Sequence, residues 1–137
     1  MEPFEIVDHT ADVGIVAHGA TLPELFANAA AGLATIVTDR DRVEERASRR
    51  LRVEAEDRAG LLAALLSELL FLLEVERFVT RRIEVESVSD IEAVATAFGE
   101  PICDRHEFLA EVKAVTHHDL SVERDGDAWR ATVLFDV

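Results

Sequence analysis

Between Gly99 and His118 the chain gathers its most versatile side chains: Glu100, Cys103, Arg105, His106, Glu111, Lys113, His117 and His118. Lys113 is the only lysine, every other strongly basic side chain being arginine. A lone flexible ammonium in a guanidinium-using chain marks a place where a mobile point charge is wanted. Chance retention on an exposed strand face is the plainer alternative. His106, His118 and a carboxylate would suit zinc chemically, although their spacing matches no closed zinc pattern. Cys103, with His106 close in sequence, could act as a nucleophile only with help; a single cysteine is more often an inert small hydrophobe.

Two further clusters lie near the tips of the chain. Asp8-His9-Thr10-Ala11-Asp12 puts two carboxylates and a histidine in a loop between strand-like stretches. Hard cations such as calcium or magnesium take carboxylate and carbonyl oxygens, and Asp12 could supply one. On spacing alone, side-chain-to-backbone turns are the favoured reading of both aspartates. At the other tip, Asp136 stands beside Val137 and its carboxylate. If the strand ends near Val7 and Val137 meet, Asp12, Asp136 and Val137 crowd, and crowded carboxylates repel unless protonated or neutralised by a cation. A frayed tail is the alternative, but Phe135 continues a strand pattern almost to the end.

The bulk numbers narrow the function classes. The 137 residues fit one domain large enough for a real core. Hydrophobic residues make up 49% and charged ones 31%, the balance of a folding chain. A formal net charge of -14 repels phosphates, so direct nucleic-acid binding is disfavoured and a basic protein surface or a cation is the natural partner. One cysteine excludes an internal disulfide framework. The start lacks the basic and apolar regions of a signal peptide. The most apolar tract, Leu61 to Leu73, is too short to span a bilayer, so no membrane association and a cytoplasmic location are expected. No phosphate loop, nucleophile elbow or HExxH helix occurs, and a free-standing metal-dependent hydrolase lacks a convincing base or nucleophile.

The elements that must position these residues follow from periodicity. Phe4 to Val7 and Val13 to His18 read as strands. Thr21 caps a helix with Pro23 in its first turn and Glu24 at the capping-box position, and the helix ends before Thr38. Alternation around Leu51, Val53 and Ala55 gives a strand, and Asp57 caps a second helix from Arg58 to Leu73, apolar enough to be buried on more than one side. Val79 to Val85, Ile91 to Phe98 and Glu111 to His117 alternate as strands. In the last of these His117 and His118 fall on opposite faces, so the cluster cannot serve one site unless a bulge intervenes. A hairpin with a turn at Asp125-Gly126 joins Leu120–Arg124 to Trp129–Phe135. The sum is an α+β, two-layer fold: a mostly antiparallel or mixed sheet of six or seven strands packed with two main helices.

Read together, Asp8-His9-Thr10-Ala11-Asp12-Val13-Gly14, Asp57 with Leu61-Leu62 and Glu68-Leu69-Leu70, Gly99-Glu100, Arg105-His106, Glu111-Val112-Lys113-Ala114-Val115-Thr116 with His118, and the closing Trp129 and Phe135-Asp136-Val137 resemble the archease family. The resemblance runs over residues 1–137 as a single domain. It implies a fold like that of a redox-regulated chaperone's main domain and no catalytic activity. It also implies a role as cofactor of the RtcB-type tRNA-splicing ligase, promoting its guanylylation and repeated turnover in tRNA splicing and RNA repair. A chaperone or modulator of another RNA-processing enzyme, such as a tRNA methyltransferase, is the alternative. Family metal ligands carry over to Asp12, Asp136 and Val137, with calcium the implied divalent cation and magnesium or manganese accepting the same oxygens. Lys113 carries over as the partner-activating residue. Asp8, His9, His106, Glu111 and His118 match as accessory positions without a firm role, and His117 stands where relatives usually carry tyrosine.

Overall fold

The local signals come first. In the computed structural model, which describes residues 2–8 and 12–137, Thr21 caps helix α1 (Leu22–Val37) through its side-chain oxygen, which accepts from the Glu24 N–H at 3.2 Å. Glu24 reaches back to accept from the Ala20 N–H at 3.3 Å, completing a reciprocal cap. Asp57 caps α2 (Arg58–Glu74) by accepting from the Gly60 N–H at 2.7 Å. The expectations placed on His9 and on the Asp8 side chain lie outside the described residues.

Among the described residues there are seven strands: β1 (Phe4–Asp8), β2 (Asp12–Gly19), β3 (Ala47–Glu54), β4 (Phe78–Val88), β5 (Glu92–Pro101), β6 (Ala114–Asp125) and β7 (Ala128–Asp136). All pairings are antiparallel. The α+β class with two helices stands, and the strands belong to two sheets, ordered β1-β2-β7-β6 and β3-β5-β4. α1 packs on β1, β2 and β7 of the first sheet and on β4 of the second, while α2 touches β6 as well as β3, β4 and β5. The physical reason is α2 itself. Leu61, Leu62, Leu65, Leu66, Leu69, Leu70 and Leu72 are buried around most of its circumference, and one sheet covers only one side of a helix. Phe26, Phe78, Phe135 and Ile15 fill the space between the layers.

Two strand expectations are corrected. Residues 111–113 do not join a strand, and β6 begins at Ala114, because the preceding segment bonds to the end of α1 instead: the Leu109 N–H donates to Val37 O at 2.8 Å and Thr38 pairs with Phe108. From there the two stretches read as separate strands merge into one β6, interrupted by a bulge. Between Thr116 and Ser121 β6 has four residues where β7 has only Val133 between their partners Leu134 and Thr132, and Asp119 takes φ 55. The hairpin turn falls at Gly126-Asp127, one residue later than expected, with Gly126 at φ 63 as a tight two-residue loop requires.

A second bulge, between Thr80 and Arg82 of β4, presses the Val79 carbonyl onto Gly99 of β5. A Cβ at residue 99 would lie 1.9 Å from Val79 O, so only glycine allows this approach. Gly99→Ala should therefore destabilise the fold by about 2 kcal/mol or more, read as a lowered urea midpoint at unchanged slope.

Candidate functional site

The carboxylate corner is built by strand register. Asp12 opens β2, Asp136 closes β7, and the two are direct cross-strand partners. Opposed residues of an antiparallel pair share a face, with Cβ atoms roughly 4.5–5.5 Å apart, and like charges placed so repel. On its other side Asp136 pairs with Ala114, and the Lys113 N–H donates to Asp136 O at 2.8 Å. The structure thus brings Asp12, Asp136 and Lys113 to one end of the sheet, with Val137 following. Asp136, Val137 and Lys113 are exposed and Asp12 is half-buried. Among the described residues no ion pair involves Asp12, Asp136 or Lys113.

Two opposed carboxylates with no cationic partner among the described side chains form an all-oxygen donor set. That chemistry fits a hard divalent cation such as calcium, magnesium or manganese, and lacks the imidazole or thiolate that zinc favours. The two aspartates alone supply two ligand groups, so such an ion would need further oxygens from nearby backbone, including that of Val137, or from a partner.

The histidines go elsewhere. His118 sits exposed in the β6 bulge with its Nε2 3.4 Å from Asp119 Oδ2, whereas the His106 side chain is buried, so the zinc grouping of His106 with His118 does not form. Glu111 is exposed and lies before β6, on the approach to Lys113.

His106 instead joins a buried lock that the sequence left without a role. Among the described residues, Glu100, Cys103 and His106 are the one group of three such side chains close enough to suggest a metal. Its hydrogen bonds argue otherwise. The Cys103 N–H donates to His106 Nδ1 at 3.0 Å, which makes Nδ1 an acceptor and leaves the ring proton on Nε2. Nε2 then donates to Glu100 Oε2 at 2.9 Å. The same carboxylate accepts from the Glu44 N–H at 2.7 Å and from Arg105, which also reaches the Arg42 carbonyl. No lone pair of the ring is left for a cation, and Arg105 already neutralises Glu100. The group is a clamp on residues 100–106.

Burial pushes the Glu100 carboxyl up, but Arg105, the Glu44 N–H and His106 together outweigh it and hold the group at about 2. A close carboxylate–arginine–histidine spacing after Gly99 was the available signal. Its meaning needed the fold, because Glu44 comes from a distant connection.

Comparisons with known proteins agree along the whole chain. The profile of the Archease protein family (MTH1598/TM1083) matches residues 4–137. Protein archease of Methanosarcina acetivorans is 36% identical over 139 residues, covering 98% of this chain and 95% of the relative. That of Methanothermobacter thermautotrophicus is 37% identical over 140 residues and covers both chains in full. The solution structure of Methanobacterium thermoautotrophicum protein 1598 superposes with a TM-score of 0.85 at 36% identity, covering all of both chains. The crystal structure of an archease from Thermotoga maritima, described as a possible chaperone, superposes with a TM-score of 0.67 at 20% identity, over 96% of this chain and 94% of that one, and shares the fold.

Because Glu100 titrates below the ordinary carboxylate value of 4.5, its contribution to stability is fully present above that value and is lost as pH falls toward about 2. Acid unfolding of the wild type should draw on this window, and Glu100→Gln should flatten that part of the stability–pH curve. At neutral pH Glu100→Ala should cost about 2–3 kcal/mol, since the buried His106 N–H loses its acceptor. Chemical denaturation at stepped pH checks both.

Proposed function

The chain belongs to the archease family, and on that premise we propose that it is a non-catalytic protein cofactor of an RtcB-type RNA ligase, promoting guanylylation of the ligase and its repeated turnover. The observation that carries the reading is the register pairing of Asp12 with Asp136 beside Lys113.

In this account Asp12 and Asp136, with Val137 beside them, would hold a divalent cation, calcium foremost, at the end of the β2–β7 pair. Bound there, such an ion would neutralise the two aspartates and offer remaining coordination positions to a partner's oxygens. The strand pairing fixes both aspartates before any partner arrives, so little conformational entropy is lost on docking. Lys113, tied through its own N–H to the Asp136 carbonyl, keeps a free side chain that reaches an acidic or phosphate oxygen of the ligase pocket. Phosphoryl-transfer catalysis is largely positioning and charge stabilisation, which is what such a docked corner can supply. The net charge of -14 speeds encounter with a basic RNA-binding cleft.

The absence of a catalytic role is supported by the lock. His106, whose Nε2 lies 3.9 Å from the Cys103 Sγ, is not a base for that thiol: Nε2 carries a proton directed at Glu100, and Nδ1 accepts from the backbone of Cys103 itself.

Asp12→Ala and Lys113→Ala should each abolish stimulation of ligase guanylylation, measured with a purified RtcB-type ligase and labelled GTP. The melting temperature of Asp12→Ala without added metal should be unchanged or raised, because a like-charge pair is relieved. Unchanged stimulation in both variants overturns the reading. A second expectation concerns salt: the rate of association with the ligase should fall on raising salt from about 50 to 500 mM, as the screening length shortens.

A further inference from the structure

The segment that delivers Lys113 also forms one wall of a groove of about 680 Å³, closed on the other side by the last turn of α2. Its floor is apolar, with Leu73, Ile102, Phe108, Leu109 and Val112, and Phe108 and Leu109 remain 43% and 56% exposed. Scattered exposed apolar residues mean little, but a contiguous set in a cleft with a polar rim marks an interaction site. The volume lies within the roughly 300–1,000 Å³ of preformed ligand clefts.

The wall of the groove is held by hydrogen bonds along its length. The Ile102 N–H donates to Arg77 O at 2.8 Å, and Leu109 N–H to Val37 O at the same distance. The Thr38 hydroxyl donates to Glu107 O at 2.8 Å, and the Glu100 clamp fixes the start of the segment. Collapse onto the floor would break these bonds.

Charge selects the occupant. Glu74 and Glu111 line the groove against a single cation, Arg77, and α2 ends with no basic residue in its last turn, leaving its carbonyl end partially negative. A second copy of this chain would set two bodies of charge -14 rim to rim, which disfavours self-association there. Nucleic acid is repelled for the same reason. What remains is a protein segment with apolar anchors and basic flanks. We propose that this groove docks a basic amphipathic segment of the partner ligase, seating it beside the Asp12–Asp136 corner; this rests on the ligase-cofactor reading above. The continuity of residues 102–112 with Lys113 means that one partner can occupy both places at once.

The test is titration of the full chain against a purified RtcB-type ligase. Leu109→Asp should weaken binding roughly tenfold or more, as expected for a central apolar anchor. Glu74→Lys, an exposed change that spares the apolar floor, should weaken it a few-fold at low salt and less at high salt. Ile91→Asp, which removes an equally exposed apolar side chain away from the groove, should bind as wild type. Wild-type affinity in both Leu109→Asp and Glu74→Lys, or an equal loss in Ile91→Asp, overturns the docking site while leaving the ligase partnership standing. A wild-type chain that does not bind the ligase overturns the partnership itself and the docking site with it. Concentration-dependent dimerisation abolished by Leu109→Asp would assign the groove to a second copy and also overturn the proposal.

Discussion

The structure depends on one constraint, the antiparallel register across β2, β7 and β6. It places Asp12 against Asp136, and Lys113 against the Asp136 backbone, at a single end of one sheet. Left alone, that register is unfavourable, since two carboxylates face each other where a neutral pair would cost nothing. It is enforced by the opposite face of the same strands, where Ile15, Ala17, Ala131, Val133 and Phe135 are all buried against the helices. Sliding β7 by one residue would turn that apolar set to the outside. The core thus holds in place a repulsion that a bound cation would relieve, burial on one face of the strands setting the carboxylates against each other on the other face.

The lock at Glu100 does parallel work for the irregular stretch between β5 and β6. A stretch without regular structure is held by Glu100, by the bonds of His106 and Arg105, and by its link to the end of α1. A carboxylate buried beside a guanidinium and a neutral imidazole is costly to break and specific in geometry. It anchors the start of the segment that Lys113 ends, so stability at one end of the loop serves placement at the other.

Much of this was legible in residue order, and the exceptions share a cause. The caps at Thr21 and Asp57 depend only on backbone N–H groups three residues away, and both formed as read. The alternation of β3 and β7 reports a buried face directly. The merging of two stretches into β6, by contrast, depends on a bulge paired against β7, and the loss of residues 111–113 from the strand depends on competition from the end of α1. Partition of the strands between two sheets follows from α2 needing cover on several sides. The meeting of Asp12 with Asp136 could be stated only as a condition until the register was known. Glu100 was noticed but left without a role, because its Glu44 donor comes from the connection before β3.

The account is tested most directly by following the side-chain carboxyl carbons of Asp12 and Asp136 by nuclear magnetic resonance as calcium is added to the protein alone. Both resonances should move together along one saturating curve of one-to-one stoichiometry, and the Glu100 carboxyl should stay still. Signals of the two aspartates that do not shift, or that shift independently at different calcium concentrations, would contradict a shared cation corner.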